Sequence, residues 1–187
     1  MQKIIYSIAY AIGATLLVQP FIVSSQANQP VQSNSISKSN KDVLQKLAAG
    51  GAAEVQASQL ALTKTNNKEV KKFAQQMVTD HTKANSELRN LALNKDIELS
   101  FEPDTKHKNL MSRLQKLSGK QFDKVYLNEV GHKDHRNTEK ALESLIRQTQ
   151  DSDIRAFAQR TLDVVKEHMS MLGDVRSTQQ SSSNQPG

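Results

Sequence analysis

KEVKKFAQQMVTDHTKANSELRNLALN, residues 68–94, places one ionisable side chain in the middle of an otherwise apolar helical stripe. At about 100° per residue, Val70, Phe73, Ala74, Met77, Ala84, Leu88, Leu91 and Ala92 fall within about 80° of His81. An unpaired ionisable group costs several kcal/mol to bury, on the order of a small domain's net stability. A histidine at the stripe's centre therefore needs a partner that the stripe itself does not supply.

Three more stretches repeat the pattern. Lys41–Thr65 centres its stripe on Glu54, Lys120–Thr149 on His135, and a helix starting at Asp151 or Ser152 and ending near Arg176 on His168. Asn66-Asn67 turns the chain between the first two, and Ser118-Gly119 precedes the third. No segment alternates with period two. Four long amphipathic helices imply an all-α fold, a four-helix bundle, with a short extra helix (about Lys106–Leu117) between helices 2 and 3. Pro103 blocks helix continuation in the irregular stretch before that short helix.

The four polar groups also agree in depth. Glu54 lies 12 residues before Asn66 and His81 lies 15 after it. His135 and His168 stand at similar distances on either side of Gln150. At a rise of 1.5 Å per residue, the partners within each hairpin differ in height by only about 4–5 Å. The segment from Lys95 to Gly119 either returns along the bundle or stays at one end, and mid-helix positions meet in both cases.

Imidazole nitrogen and carboxylate oxygen on one level suit a divalent transition metal: Zn, Fe, Cu, Ni or Mn. Glu54, His81, His135 and His168 are the expected ligands. Each histidine follows an acid: Asp80-His81, Asp134-His135 and Glu167-His168. A residue one step back points about 100° away, toward the neighbouring helix, where it can accept the distal N–H of a histidine across the interface. Ordinary solvated helix surface is the alternative for these acids. A metal-free polar network that fixes helix register is the alternative for the whole layer. A metal-dependent redox enzyme with an open coordination position is a third reading.

Glu129 and His132 form a single Glu-x-x-His, the spacing used in pairs by di-iron carboxylate bundles. One copy without the further Glu residues argues against a ferroxidase or di-iron oxygenase, and leaves His132 as an addition to the site or its mouth. His107, in the short connecting helix, is expected to be solvated. Met77, Met111, Met169 and Met171 read as core filler. No serine–histidine–acid set and no glycine-rich phosphate loop is present.

The ends of the chain bear on location. Lys3, the apolar run Ile4–Val18 and the small residues of Ser25-Gln26-Ala27 read as a secretory signal peptide over residues 1–27. A retained membrane anchor is the alternative, although Pro20 and the polar stretch after Val23 make the apolar part short for a span. Residues 28–40 read as a flexible linker, 41–176 as the bundle, and 177–187 as a disordered tail. With no cysteine there is no disulfide, no lipoprotein anchor and no thiolate ligand. The net charge is +6, including Lys3 of the leader. Scattered lysines and arginines and 4% aromatic residues argue against nucleic acid, and leave weak contact with an anionic envelope surface. The expected location is periplasmic or envelope-associated, with no integral membrane segment in the mature chain.

AAGGAAEVQASQLAL (48–62), VKKFAQQMVTDHTKANSEL (70–88), SGKQFDKVYLNEVGHKDH (118–135) and KEHMSML (166–172) together resemble the domain-of-unknown-function family numbered 4142. The resemblance spans roughly Lys41 to Arg176. It rests on Glu54, Asp80-His81, Phe122-Asp123, Tyr126, Asp134-His135 and His168. It implies an exported ferritin-like bundle and no assigned role. Members often carry an outer-membrane label, which suits poorly a sequence without barrel-type strands. Gly131-His132 departs from the family's usual apolar residues. Asp123 is expected to partner the Ser118-Gly119 turn. Tyr126, opposite His135, is expected to pack the short helix.

Overall fold

A computed structural model describes residues 36–183. The signal-peptide reading of residues 1–27 and most of the linker lie outside the described residues. The chain forms α1 (Lys38–Lys64), α2 (Lys68–Asn94), α3 (Thr105–Gln115), α4 (Gly119–Tyr126), a π-helical segment (Leu127–Asp134), α5 (His135–Gln148) and α6 (Ser152–Ser183). α4, the π segment and α5 follow one another without a break and make a single rod. Four rods and one short helix give the all-α bundle that the stripes imply. No described helix is long and apolar enough to cross a membrane.

Local chemistry sets the ends. Asn67 caps α2 by accepting from the N–H groups of Glu69 and Val70, and Asp104 caps α3 by accepting from His107. α1 begins at Lys38, where Ser37 accepts from Asn40 N–H, so the last residues assigned to the linker are helical. α6 runs past Arg176 to Ser183, into the stretch assigned to the tail.

Cross-rod contacts fix the topology. Ser58 meets Tyr126 at 2.8 Å and Glu54 lies 3.5 Å from His135, so α1 is antiparallel to the third rod. Asp80 meets His168, Glu87 meets Arg160 and Lys95 meets Asp153, so α2 is antiparallel to α6. α2 and the third rod therefore run the same way, and the chain between them must travel the length of the bundle. It does so along α1. Gln45 exchanges two hydrogen bonds with the backbone of Ser100, and Lys64, at the other end of α1, donates to the carbonyl of Gln115. Arg89 sits over the Phe101 ring at 4.0 Å and holds the start of this crossing. One long crossover between two antiparallel hairpins is the ferritin-like arrangement.

The crossover corrects two expectations. Asp123 is buried and bonds Thr65 at the α1–α2 turn instead of the Ser118-Gly119 turn; Ser118 makes no side-chain cap. His107 is not solvated: its side chain is 12% exposed because α3 lies against the bundle.

The core divides into two apolar clusters. One gathers Phe73, Met77, Phe122, Tyr126, Val130 and Leu172. The other gathers Leu44, Leu88, Leu142, Leu145, Ile154 and Phe157. Between them lies a buried polar layer of Glu54, His81, His135 and His168.

Candidate metal centre

His81 comes from α2, His135 from the first residue of α5, and His168 from α6. All three are buried, and one nitrogen from each lies within 4.8 Å of the others. The ring centroids form a near-equilateral triangle with sides of 5.2, 5.2 and 5.4 Å. Phe73 packs edge-on against His168 and seals that side with hydrocarbon.

Each ring is held by one nitrogen. Nδ1 of His81 lies 3.1 Å from Glu54 Oε2. Nδ1 of His135 lies 3.0 Å from the carbonyl oxygen of Val130. Nε2 of His168 lies 2.8 Å from Asp80 Oδ2. The remaining nitrogens face inward. Nε2 of His135 and Nδ1 of His168 are 3.0 Å apart, and Nε2 of His81 is buried with no hydrogen-bond partner among the described residues.

The π segment makes the His135 anchor. The His135 backbone N–H goes to His132, and its ring reaches the carbonyl of Val130 five residues back. Short π insertions recur at functional sites because they re-aim side chains and free carbonyls from the regular ladder. This one also turns Tyr126 and Val130 inward beside Leu127 and Gly131. Tyr126 meets Ser58 and stacks on Phe122. Uniform helical counting, which set Tyr126 opposite His135, has no term for such an insertion.

The structure brings together three of the four expected ligands. Glu54 stands one layer out, behind His81 and His135, and is not among the gathered atoms. Of the preceding acids, Asp80 reaches across to a histidine of another rod as the 100° rule implies. Asp134 does not: it faces the crossover, 2.7 Å from Lys106 and 3.7 Å from His107. Glu167 is exposed. Glu129 pairs with Lys133 along its own helix, and His132 is half-buried outside the cluster.

Burial sets the charges. It pushes the Glu54 carboxyl well above its ordinary range, and the nearby Asp134 carboxylate adds to the shift. It pulls His81 well below the ordinary imidazole range, with His135 and His168 adding to the effect. It lowers His135 to about 4, with His168 adding and the Val130 bond opposing. Burial thus favours neutral His81 and His135, and the neutral imidazole is the form that ligates metals.

A proton count limits what this layer can be. A neutral imidazole has one N–H. If Glu54 accepts from His81, then Nε2 of His81 carries a lone pair that no donor meets, while the 3.0 Å contact between His135 and His168 closes as a hydrogen bond when either ring donates. If Glu54 is protonated and donates to His81, then Nε2 of His81 carries a hydrogen that nothing accepts. Either state leaves a buried polar atom unsatisfied, at about 1–3 kcal/mol.

The comparisons give a family and no relative with a known role. A family model described as Domain of unknown function (DUF4142) matches residues 25–175. No curated protein and no solved structure matches the chain.

Proposed function

We propose that this chain, which belongs to the DUF4142 family, is an exported helical bundle that binds one divalent transition metal through His81, His135 and His168. The observation that carries this reading is the set of three inward nitrogens. Each of the three rings is anchored by its other nitrogen, which is how proteins orient metal-binding histidines. Three imidazole nitrogens on one ion at about 2.0–2.1 Å stand roughly 3.3 Å apart in a tetrahedral shell. The 3.0 Å pair already has nearly that spacing, and the orphaned nitrogen of His81 supplies the third donor. A cation there gives the orphaned nitrogen of His81 a partner and lets Glu54 ionise beside it.

Nitrogen donors favour Zn, Cu, Ni, Fe or Mn over Mg and Ca. Three protein ligands leave one coordination position for water or another small ligand. The role that fits is metal handling or a stress response in the envelope. Metal analysis of protein purified without chelator is the direct test. Near-stoichiometric metal, lost when His81 and His168 are both replaced by Ala, is expected. Metal-free protein that stays empty after incubation with each of these ions would leave only the register-fixing network.

Asp80 tests the anchoring. Asp80→Ala frees the outer nitrogen of His168 without touching the inward three, and affinity is expected to fall about 10–100-fold. Competition against a chromophoric chelator measures it, and wild-type affinity in the variant would count against the orienting role.

Export rests on the leader composition, and the family match begins at residue 25, close to the Ala27–Asn28 boundary. Mass spectrometry of the protein from the cell envelope should find Asn28 as the first residue. An intact Met1 terminus would contradict cleavage.

A further inference from the structure

We propose that the cavity between α1, α3 and the π segment is the route by which a divalent cation reaches the three imidazoles, with Asp134 and His107 as an outer cation-binding station on it. The proposal rests on the metal-binding reading above. The cavity holds about 210 Å³, and its wall includes Glu54, Asp134, His107, Leu110, Met111 and Val130.

The outer station repeats the logic of the inner one. Nδ1 of His107 is anchored 2.8 Å from Asp104. Its Nε2 lies 3.7 Å from Asp134 Oδ2, too far for a hydrogen bond. That oxygen is buried and has no hydrogen-bond partner among the described residues, on a side chain only 8% exposed. An imidazole nitrogen and a carboxylate oxygen thus face each other across a gap that a hydrogen does not bridge. A cation about 2.0–2.2 Å from each donor suits that separation.

Lys106 holds the other oxygen of Asp134 at 2.7 Å, through a side chain that is 61% exposed. The carboxylate end of this pair is buried and the ammonium end lies on the solvent side. The ammonium can leave for solvent when a divalent cation arrives, so Lys106 acts as a displaceable counter-ion.

Glu54 links the outer station to the inner one. It lines the 210 Å³ cavity, a second cavity of about 180 Å³ shared with Asp134 and His107, and a small space of about 30 Å³ that it shares with His81. Its two oxygens lie 3.1 Å from His81 and 3.5 Å from His135. A cation released by Asp134 and His107 meets this carboxyl next, and the carboxyl already touches two of the three final ligands.

Stopped-flow mixing of the metal-free full chain with Co²⁺, and with Zn²⁺ against a fluorescent chelator, tests the route. Asp134→Asn and His107→Gln are each expected to slow uptake and release together, by about tenfold, because each removes a donor from the outer station and leaves the inner ligands in place, and Asp134→Asn also removes a charge that draws the cation in. The final metal content stays at the wild-type level, because the three inner imidazoles are intact. Lys106→Ala is expected to speed uptake, because the competing ammonium is gone. Wild-type rates in all three variants would overturn the route while leaving the metal centre standing. Faster release with unchanged uptake in Asp134→Asn would also overturn it, since Asp134 would then hold the bound ion. A wild-type chain that takes up neither of these metals, nor Cu, Ni, Fe or Mn, would defeat the metal-binding reading itself. If Asp134→Asn fails to fold by circular dichroism, His107→Gln and the surface variant Lys106→Ala decide the matter.

Discussion

Adding Zn²⁺ to the metal-free protein is expected to raise its melting temperature by roughly 8–16 °C at a free concentration near a thousand times the dissociation constant, from about 4.1 kcal/mol of linkage at about 2–4 °C per kcal/mol. The size of the effect follows from where the ligands sit in the sequence. His135 and His168 are 33 residues apart, and Asp80, next to His81, is 88 residues from His168. The unfolded chain does not gather them, so nearly all of the binding free energy stabilises the fold. His81→Ala is expected to abolish the shift, and chelator is expected to reverse it in the wild type. A buried register network gives a different outcome. It predicts no response to any of the five metals, and a neutral or stabilising effect when the three histidines become apolar residues of similar volume. Thermal melts with and without metal on these variants separate the two.

The centre was legible in the sequence as far as periodicity and depth reach. A histidine in the middle of an apolar stripe must face the core, and a rise of 1.5 Å per residue sets its level. Those two facts placed His81, His135 and His168 together. They also placed Glu54 on the same level, but depth does not say which polar group stands in front, and Glu54 is behind two of the imidazoles. Asp80 was legible for the same reason as His81, one step round the helix. Asp134 has the same local pattern and a different partner. The crossover lies along α1, so Lys106 and His107 occupy the side to which Asp134 points. The path of that crossover, and the π segment that turns the Val130 carbonyl toward His135, depend on tertiary packing and leave no periodic trace in the chain. The burial of His107 has the same origin: a histidine on a short, polar helix is solvated unless that helix is laid against the bundle.

Acid should unfold the metal-free protein early, and the sign can be worked out from the buried layer. His135 has a folded pKa of about 4 against an unfolded value of about 6.5, and His81 is shifted in the same direction. A histidine held neutral in the fold contributes stability that is fully present above the unfolded pKa and is lost as pH falls toward the folded one. Below about pH 6.5 the unfolded chain binds protons that the folded chain refuses, at roughly 1.4 kcal/mol per pH unit for each proton. His135 alone then loses on the order of 3 kcal/mol by pH 4, a large part of a domain's net stability. Glu54 works the other way. Its folded pKa is raised, so protonation relieves the fold as pH falls, but it is one group against two. The net expectation is a melting temperature flat above pH 7 and falling steadily between pH 6.5 and 4. His135→Leu, which keeps the volume and removes the titration, should flatten much of that fall. Bound metal should hold the curve level to lower pH, because the ion competes with protons for the same nitrogens. A metal-free wild type whose stability is unchanged between pH 7 and 4 would show that these imidazoles are not kept neutral by burial, and the electrostatic basis of the centre would go with it.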